Sequence, residues 1–146
     1  MSLLTDKAFY NALKTSRTIW RKTDGRIYAT AVPVPDDQLE NTPLPYIIIT
    51  FDGMKNEGVT KDDSYEGNTD TVNVGITAVA ESRHKLGELM EAIRVHVESY
   101  FINADEETED FELIPNSYEL TAGEVGFDPL VPCYFQKLSY QCDTNP

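Results

Sequence analysis

The sequence predicts an α+β domain, a mostly antiparallel sheet of about four to five strands with two helices packed on one face. Two observations carry this. Residues 69–101 run from a strictly alternating strand straight into a long amphipathic helix, so the apolar period changes from 2 to 3.6 within a few residues. Strands also precede and follow that helix, with hairpin-length connections between the early ones. At 146 residues the chain fits one domain, residues 1–146. A chain of this size buries roughly 70% of the surface its unfolded form exposes, enough to fold without covalent staples.

The first element is a helix over about residues 3–15, with Leu4, Ala8, Phe9, Ala12 and Leu13 on one stripe. A segment holding Ile19, Trp20 and the turn residues Asp24 and Gly25 leads into a β-rich run, Arg26–Val34, ended by Pro33 and Pro35. After a polar connection, Leu44–Phe51 shows Tyr46, Ile47, Ile48, Ile49 and Phe51 without alternation. That pattern indicates a central strand covered on both faces, or one with an interface on one of them. Residues 53–68 are rich in Gly, Asp, Asn and Lys and read as a mobile hairpin arm, a candidate contact element.

The alternating strand follows, with Val72, Val74, Ile76, Ala78 and Ala80 on one side and Thr71, Asn73, Gly75 and Thr77 on the other. Ser82 is placed to cap the helix, whose stripe is Leu86, Leu89, Met90, Ile93, Val97, Tyr100 and Phe101. Beyond it Asp105, Glu106, Glu107, Glu109, Asp110 and Glu112 make an acidic loop, 105–112, that repels itself and stays solvated. Two C-terminal strands are expected near Tyr118–Leu120 and Pro132–Gln141, with turn signals at Ala122–Gly126 and Asp128–Pro129.

Charge and composition narrow the function classes. The formal net charge is −13, from 25 acids against 12 bases, so phosphates are repelled and nonspecific attraction to nucleic acid or an anionic membrane is excluded. No apolar run approaches the ~20 residues that cross a bilayer, and the N-terminus lacks signal-peptide features, so synthesis inside the cell is expected. Cys133 and Cys142 lie nine residues apart in one predicted strand. In a continuous strand that separation is about 30 Å, far beyond disulfide reach, so free thiols in a reducing compartment are expected.

No catalytic signature is present. His84 and His96 fall on one helix twelve residues apart, about 18 Å along its axis, and cannot share a metal. Asp62, Ser64, Glu66, Gly67, Asn68 and Asp70 loosely follow a calcium loop, but Asn73 stands where its bidentate Glu belongs. Phosphate loops, Gly-x-Ser-x-Gly elbows and His-Glu-x-x-His sequences are absent. No catalytic residue, cofactor or metal is therefore expected. Arg17, Arg21, Lys22 and Arg26 form the one basic patch of note. It is either a solvated loop or a surface that meets Glu106, Glu107 and Glu109 of a neighbouring copy, head to tail. Val95, on the helix face opposite the apolar stripe beside Glu91 and Glu98, is a single exposed apolar residue or part of that contact.

The order of elements resembles the tail terminator, or tail completion, proteins of long-tailed bacteriophages and prophages. The resemblance rests on the short N-terminal helix, Gly25-Arg26-Ile27-Tyr28, Pro43-Leu44-Pro45-Tyr46-Ile47, and the 72–80 strand with its helix, and it covers about residues 3–101. It implies a compact α+β fold and a homo-oligomeric ring, commonly of six subunits, that caps the tail tube and joins it to the head connector. It also implies that DNA passes without specific binding, that no membrane is involved, and that the protein resides in the virion or, during assembly, in the bacterial cytoplasm. The acidic 105–112 stretch is longer than that pattern. Two other readings stand beside it: an acidic bacterial adaptor that binds another protein through the 53–68 arm, and a small enzyme with a scattered carboxylate site.

Overall fold

The computed structural model describes residues 4–29, 43–56, 70–109 and 111–144. Along the chain run α1 (Thr5–Thr15), α2 (Arg17–Thr23), β1 (Ile27–Ala29), β2 (Tyr46–Asn56) and β3 (Asp70–Ala80). There follow α3 (Arg83–Ile102), a 3-10 turn (Phe111–Leu113), β4 (Ser117–Ala122), β5 (Gly126–Asp128) and β6 (Cys133–Thr144). The strands make one six-stranded sheet in the order β1-β2-β3-β6-β4, with β5 also paired to β6. All pairings are antiparallel except β1 with β2. The fold is α+β.

The alternation of β3 decides which face of the sheet is covered. Val72, Val74, Ile76, Ala78 and Ala80 are each 0% exposed, and Ile47 and Ile49 of β2 and Leu138, Tyr140 and Cys142 of β6 join them on that face. Phe9 and Leu13 of α1, Ile19 of α2 and Leu86, Leu89, Ile93 and Val97 of α3 close over them. Each fully buried aliphatic side chain of this kind contributes roughly 1.5–3 kcal/mol before ordering costs. Phe9 ties the layers together, its ring 4.9 Å from that of Phe101 on α3 and 4.8 Å from that of Tyr140 in the sheet. The helices thus pack on one face. On the opposite face Lys137 pairs with Asp52 at 2.9 Å across Gly75, where a Cβ would collide with both side chains.

The structure differs from the sequence expectation at several elements. A third helix, α2, occupies the segment read as a lead into the first strand. It is capped by Ser16, whose Oγ accepts from the Ile19 amide, and ended by Asp24 in the left-handed region. The sheet has six strands, not four to five. In β2, Ile47 and Ile49 are buried while Ile48 and Thr50 are half-buried, so this strand is covered on one face only. A register shift at Phe51/Gly53 then breaks its alternation. β2 continues through Asn56, so the expected arm does not begin at 53, and 57–68 lie outside the described residues together with 30–34 of the first expected strand.

Residues 122–126 do not reverse the chain either. The Gly123 amide donates to the Lys137 carbonyl at 2.8 Å and Gln136 Nε2 to the Gly123 carbonyl at 2.8 Å, so β4 and β5 run along the same edge of β6. The reversal follows β5, where Asp128 Oδ1 accepts from the amides of Leu130 and Val131. Cys133 and Cys142 are both free and both buried in β6.

Candidate subunit interface

The four expected cations separate into two kinds once the chain is folded. Arg26 turns inward: its Nε donates to the Pro45 carbonyl at 3.0 Å, its Nη1 lies 3.6 Å from Asp24, its carbonyl accepts from the Ile47 amide of β2 at 3.0 Å, and its own amide donates to the Thr23 carbonyl at 3.0 Å. Lys22 reaches across to α3 and pairs with Glu88 at 3.1 Å, holding that carboxyl below the usual carboxylate range. Glu88 also sits 2.6 Å from His84. Arg17 and Arg21 remain exposed on α2, and neither makes an ion pair within the chain among the described residues.

Lys14, at the last turn of α1, joins them. Lys14, Arg17 and Arg21 border one depression of about 430 Å³ with Thr15, Ser16 and the half-exposed Trp20. The sequence reading missed Lys14 and Trp20; Lys14 is in the last turn of α1 and Arg17 and Arg21 belong to α2, so it is the break at extended Ser16, and not one helical face, that brings the three together.

Beside this depression runs a larger groove of about 1010 Å³ between α2 and α3, which Ser16, Ala92, Val95 and His96 help to line. Val95 is 49% exposed there, on the face of α3 away from the core. His96 is partly covered, and that desolvation lowers its pKa. A third depression of about 370 Å³ continues past His96 and is lined by Thr15, Ser99, Asn103 and Thr108. Ser16, Thr15 and His96 are shared between neighbouring depressions, so one groove runs from the basic corner to the loop after α3.

That loop holds the acidic residues in an ordered turn. Asp105 Oδ1 accepts from the Glu107 amide at 3.0 Å and the Thr108 hydroxyl at 3.2 Å, and the Asp105 carbonyl accepts from the Thr108 amide at 2.9 Å. Glu106, Glu107 and Glu109 are exposed and make no ion pair within the chain among the described residues. Asp110 lies outside the described residues, and Glu112 belongs to the 3-10 turn. Of this turn, Thr108 lines the same depression as Thr15, which also borders the basic corner.

His84 and His96 stay apart on α3, and among the described residues no group of three or more His, Cys, Asp or Glu side chains is placed to hold a metal. Of the loose calcium pattern, residues 62–68 lie outside the described residues.

No protein-family model matches the chain, and no curated protein matches it. Among solved structures, it resembles a chain of the virion of a native gene transfer agent (GTA) particle, with a TM-score of 0.54 and 12% sequence identity. The match spans 97% of this chain and 94% of the other, so the two share a fold from end to end.

Proposed function

We propose that this protein is a structural component of a phage-like virion, a tail terminator that forms a ring on the finished tail tube and joins it to the head connector. The observation that carries the reading is the end-to-end fold likeness to a chain of a gene transfer agent virion, which agrees with the resemblance of residues 3–101 to tail terminators. The chemistry agrees with it as well. A ring traversed by DNA needs a surface to which duplex does not adhere, and a net charge of −13 repels phosphate. The protein acts by shape and charge, not as an enzyme. Its copies meet through surfaces drawn from Arg17, Arg21, Lys22, Arg26, Val95, Glu106, Glu107 and Glu109, of which all but Arg26 are exposed. The protein assembles in the bacterial cytoplasm and ends in the virion.

Negative-stain imaging of the purified chain with polymerised tail tubes tests this. Rings alone, or a cap at one end of each tube, support the reading. Bare tube ends at saturating protein, with no rings in the protein alone, overturn it.

A further inference from the structure

We infer that the turn between β5 and β6, with Leu130 at its tip, seats in the groove between α2 and α3 of the neighbouring copy, against Ala92 and Val95, and that this head-to-tail contact repeats around the assembly. The inference rests on the reading that copies of this chain form a ring, and it names the surfaces that meet.

The tip is an apolar knob already held in place. Leu130 is 86% exposed and Phe127, on the strand before it, 51% exposed. Asp128 Oδ1 accepts from the amides of Leu130 and Val131, Pro129 and Pro132 fix φ on either side, and the Phe127 ring lies 4.9 Å from that of Tyr134. Little freedom is left to lose on docking. Residues 129–136 also carry no charge, so the tip escapes the repulsion that a net charge of −13 sets between copies.

The groove suits an uncharged occupant. Val95 and Ala92 give it apolar surface, while Lys22 and His84 flank Glu88 and Arg94 holds Glu91, so an incoming charge would compete with pairs already made. Gly87 lies in the same groove, in the interior of α3, where glycine weakens a helix relative to alanine. A Cβ there would meet no atom beyond its own helix backbone within 4 Å among the described residues. Nothing described within the chain uses the missing side chain, whereas the close approach of a second copy does. Knob and groove also lie on different surfaces. β5, which leads into the tip, forms the sheet edge away from β1, and the groove opens on the outer side of the helices. Such a contact is heterologous, and one rotation axis repeats it into a ring whose two faces differ, as a tail side and a head side require.

Two full-length variants test the inference, Leu130→Asp and Val95→Asp. Both side chains are exposed, and circular dichroism verifies that each variant is folded. Sedimentation over a range of concentrations reads the mass. Wild type is expected to form closed assemblies, and each variant alone to need about tenfold or more higher concentration to associate. In the mixture, the intact knob of the Val95→Asp chain meets the intact groove of the Leu130→Asp chain, and the knob and groove left over are both damaged. Assembly therefore stops at a one-to-one pair. A mixture without that pair, or a wild type that stays monomeric at hundreds of micromolar, overturns the inference. Variants that form rings as wild type does overturn this contact and leave the ring standing. A mixed pair, from a wild type that leaves tail tubes bare, supports the contact and counts against the tail reading alone.

Discussion

Alkaline pH should destabilise this protein in part through one buried thiol. Cys142 is 0% exposed, set between Val72 of β3 and Tyr118 of β4 in the paired register. Burial, with a smaller contribution from the Asp143 charge, pushes its pKa from 9.0 up to about 12. The folded chain keeps this proton while the unfolded chain releases it above pH 9, so the contribution is complete below pH 9 and is lost as pH rises toward 12. With those two values the loss is about 1.4 kcal/mol at pH 10 and about 2.7 kcal/mol at pH 11. Cys142→Ala removes the titration and leaves a small cavity that costs about 1 kcal/mol at neutral pH. Wild type should therefore be the more stable at pH 7, and the two stability curves should cross between about pH 9.5 and 10. Tyr140 and Cys133 are also shifted upward, chiefly by burial, and are present in both proteins; the Cys142 charge adds a smaller part of the Tyr140 shift, so the difference reads mainly the Cys142 titration. Guanidinium unfolding under reducing conditions at pH 7, 9, 10 and 11 measures it. Parallel curves for the two proteins would refute the reasoning.

Three further outcomes follow from particular side chains. Among the described residues the buried Tyr140 hydroxyl has no hydrogen-bond partner, so Tyr140→Phe should stabilise the protein by about 1 kcal/mol and raise Tm by about 2–4 °C in calorimetry. Ser82 caps α3 by accepting from the Lys85 amide, and Ser82→Ala should cost about 1 kcal/mol by denaturant unfolding. Gly25 has φ +74° with the Trp20 ring 2.8 Å from where a Cβ would stand. Gly25→Ala should therefore cost about 1–2 kcal/mol and shift the emission of Trp20, the chain's one tryptophan, which an unchanged spectrum would contradict.

Local patterns were legible in the sequence where they were long. The alternation over 72–80 and the helical stripe from Leu86 to Phe101 each ran far enough to show their period, and β3, the Ser82 cap and α3 stand where they predict. The seven residues of α2 are too few for a period, since Ile19 and Thr23 are its buried positions. Its signal was in the punctuation, Ser16 before it and Asp24-Gly25 after it, which was read only as a turn. β2 obscured its own alternation because Ile48 and Tyr46 are apolar on the half-covered face and the Asp52–Gly53 irregularity shifts its phase. The parallel β1–β2 pairing and the shared edge of β4 and β5 are long-range choices that no local window contains. The same limit applied to the charged patch. Nothing near Lys22 in sequence announces Glu88, 66 residues on, and nothing near Arg26 announces the Pro45 carbonyl.

This sorting of charges bears on what the surface is for. An exposed ion pair is worth little to a folded monomer, and the five pairs at Lys22, Arg26, Lys85, Arg94 and Lys137 are mostly of that kind. They have another consequence, which is to leave those faces electrically quiet. On the described surface Lys14, Arg17 and Arg21 gather at one corner, and the exposed Glu106, Glu107 and Glu109 belong to the turn whose Thr108 lines a depression with Thr15. In a chain with twice as many acids as bases, diffuse repulsion opposes any close approach of two copies. Such a protein self-associates only where local attraction exceeds that repulsion, and the groove is one place where, among the described residues, cations without acidic partners lie. Raised salt should then have two opposing effects, easing the general repulsion while screening the specific pairs. A wild-type association that strengthens steadily with salt would assign the contact to apolar area alone, and one that passes through a maximum would assign it to the paired charges at the groove.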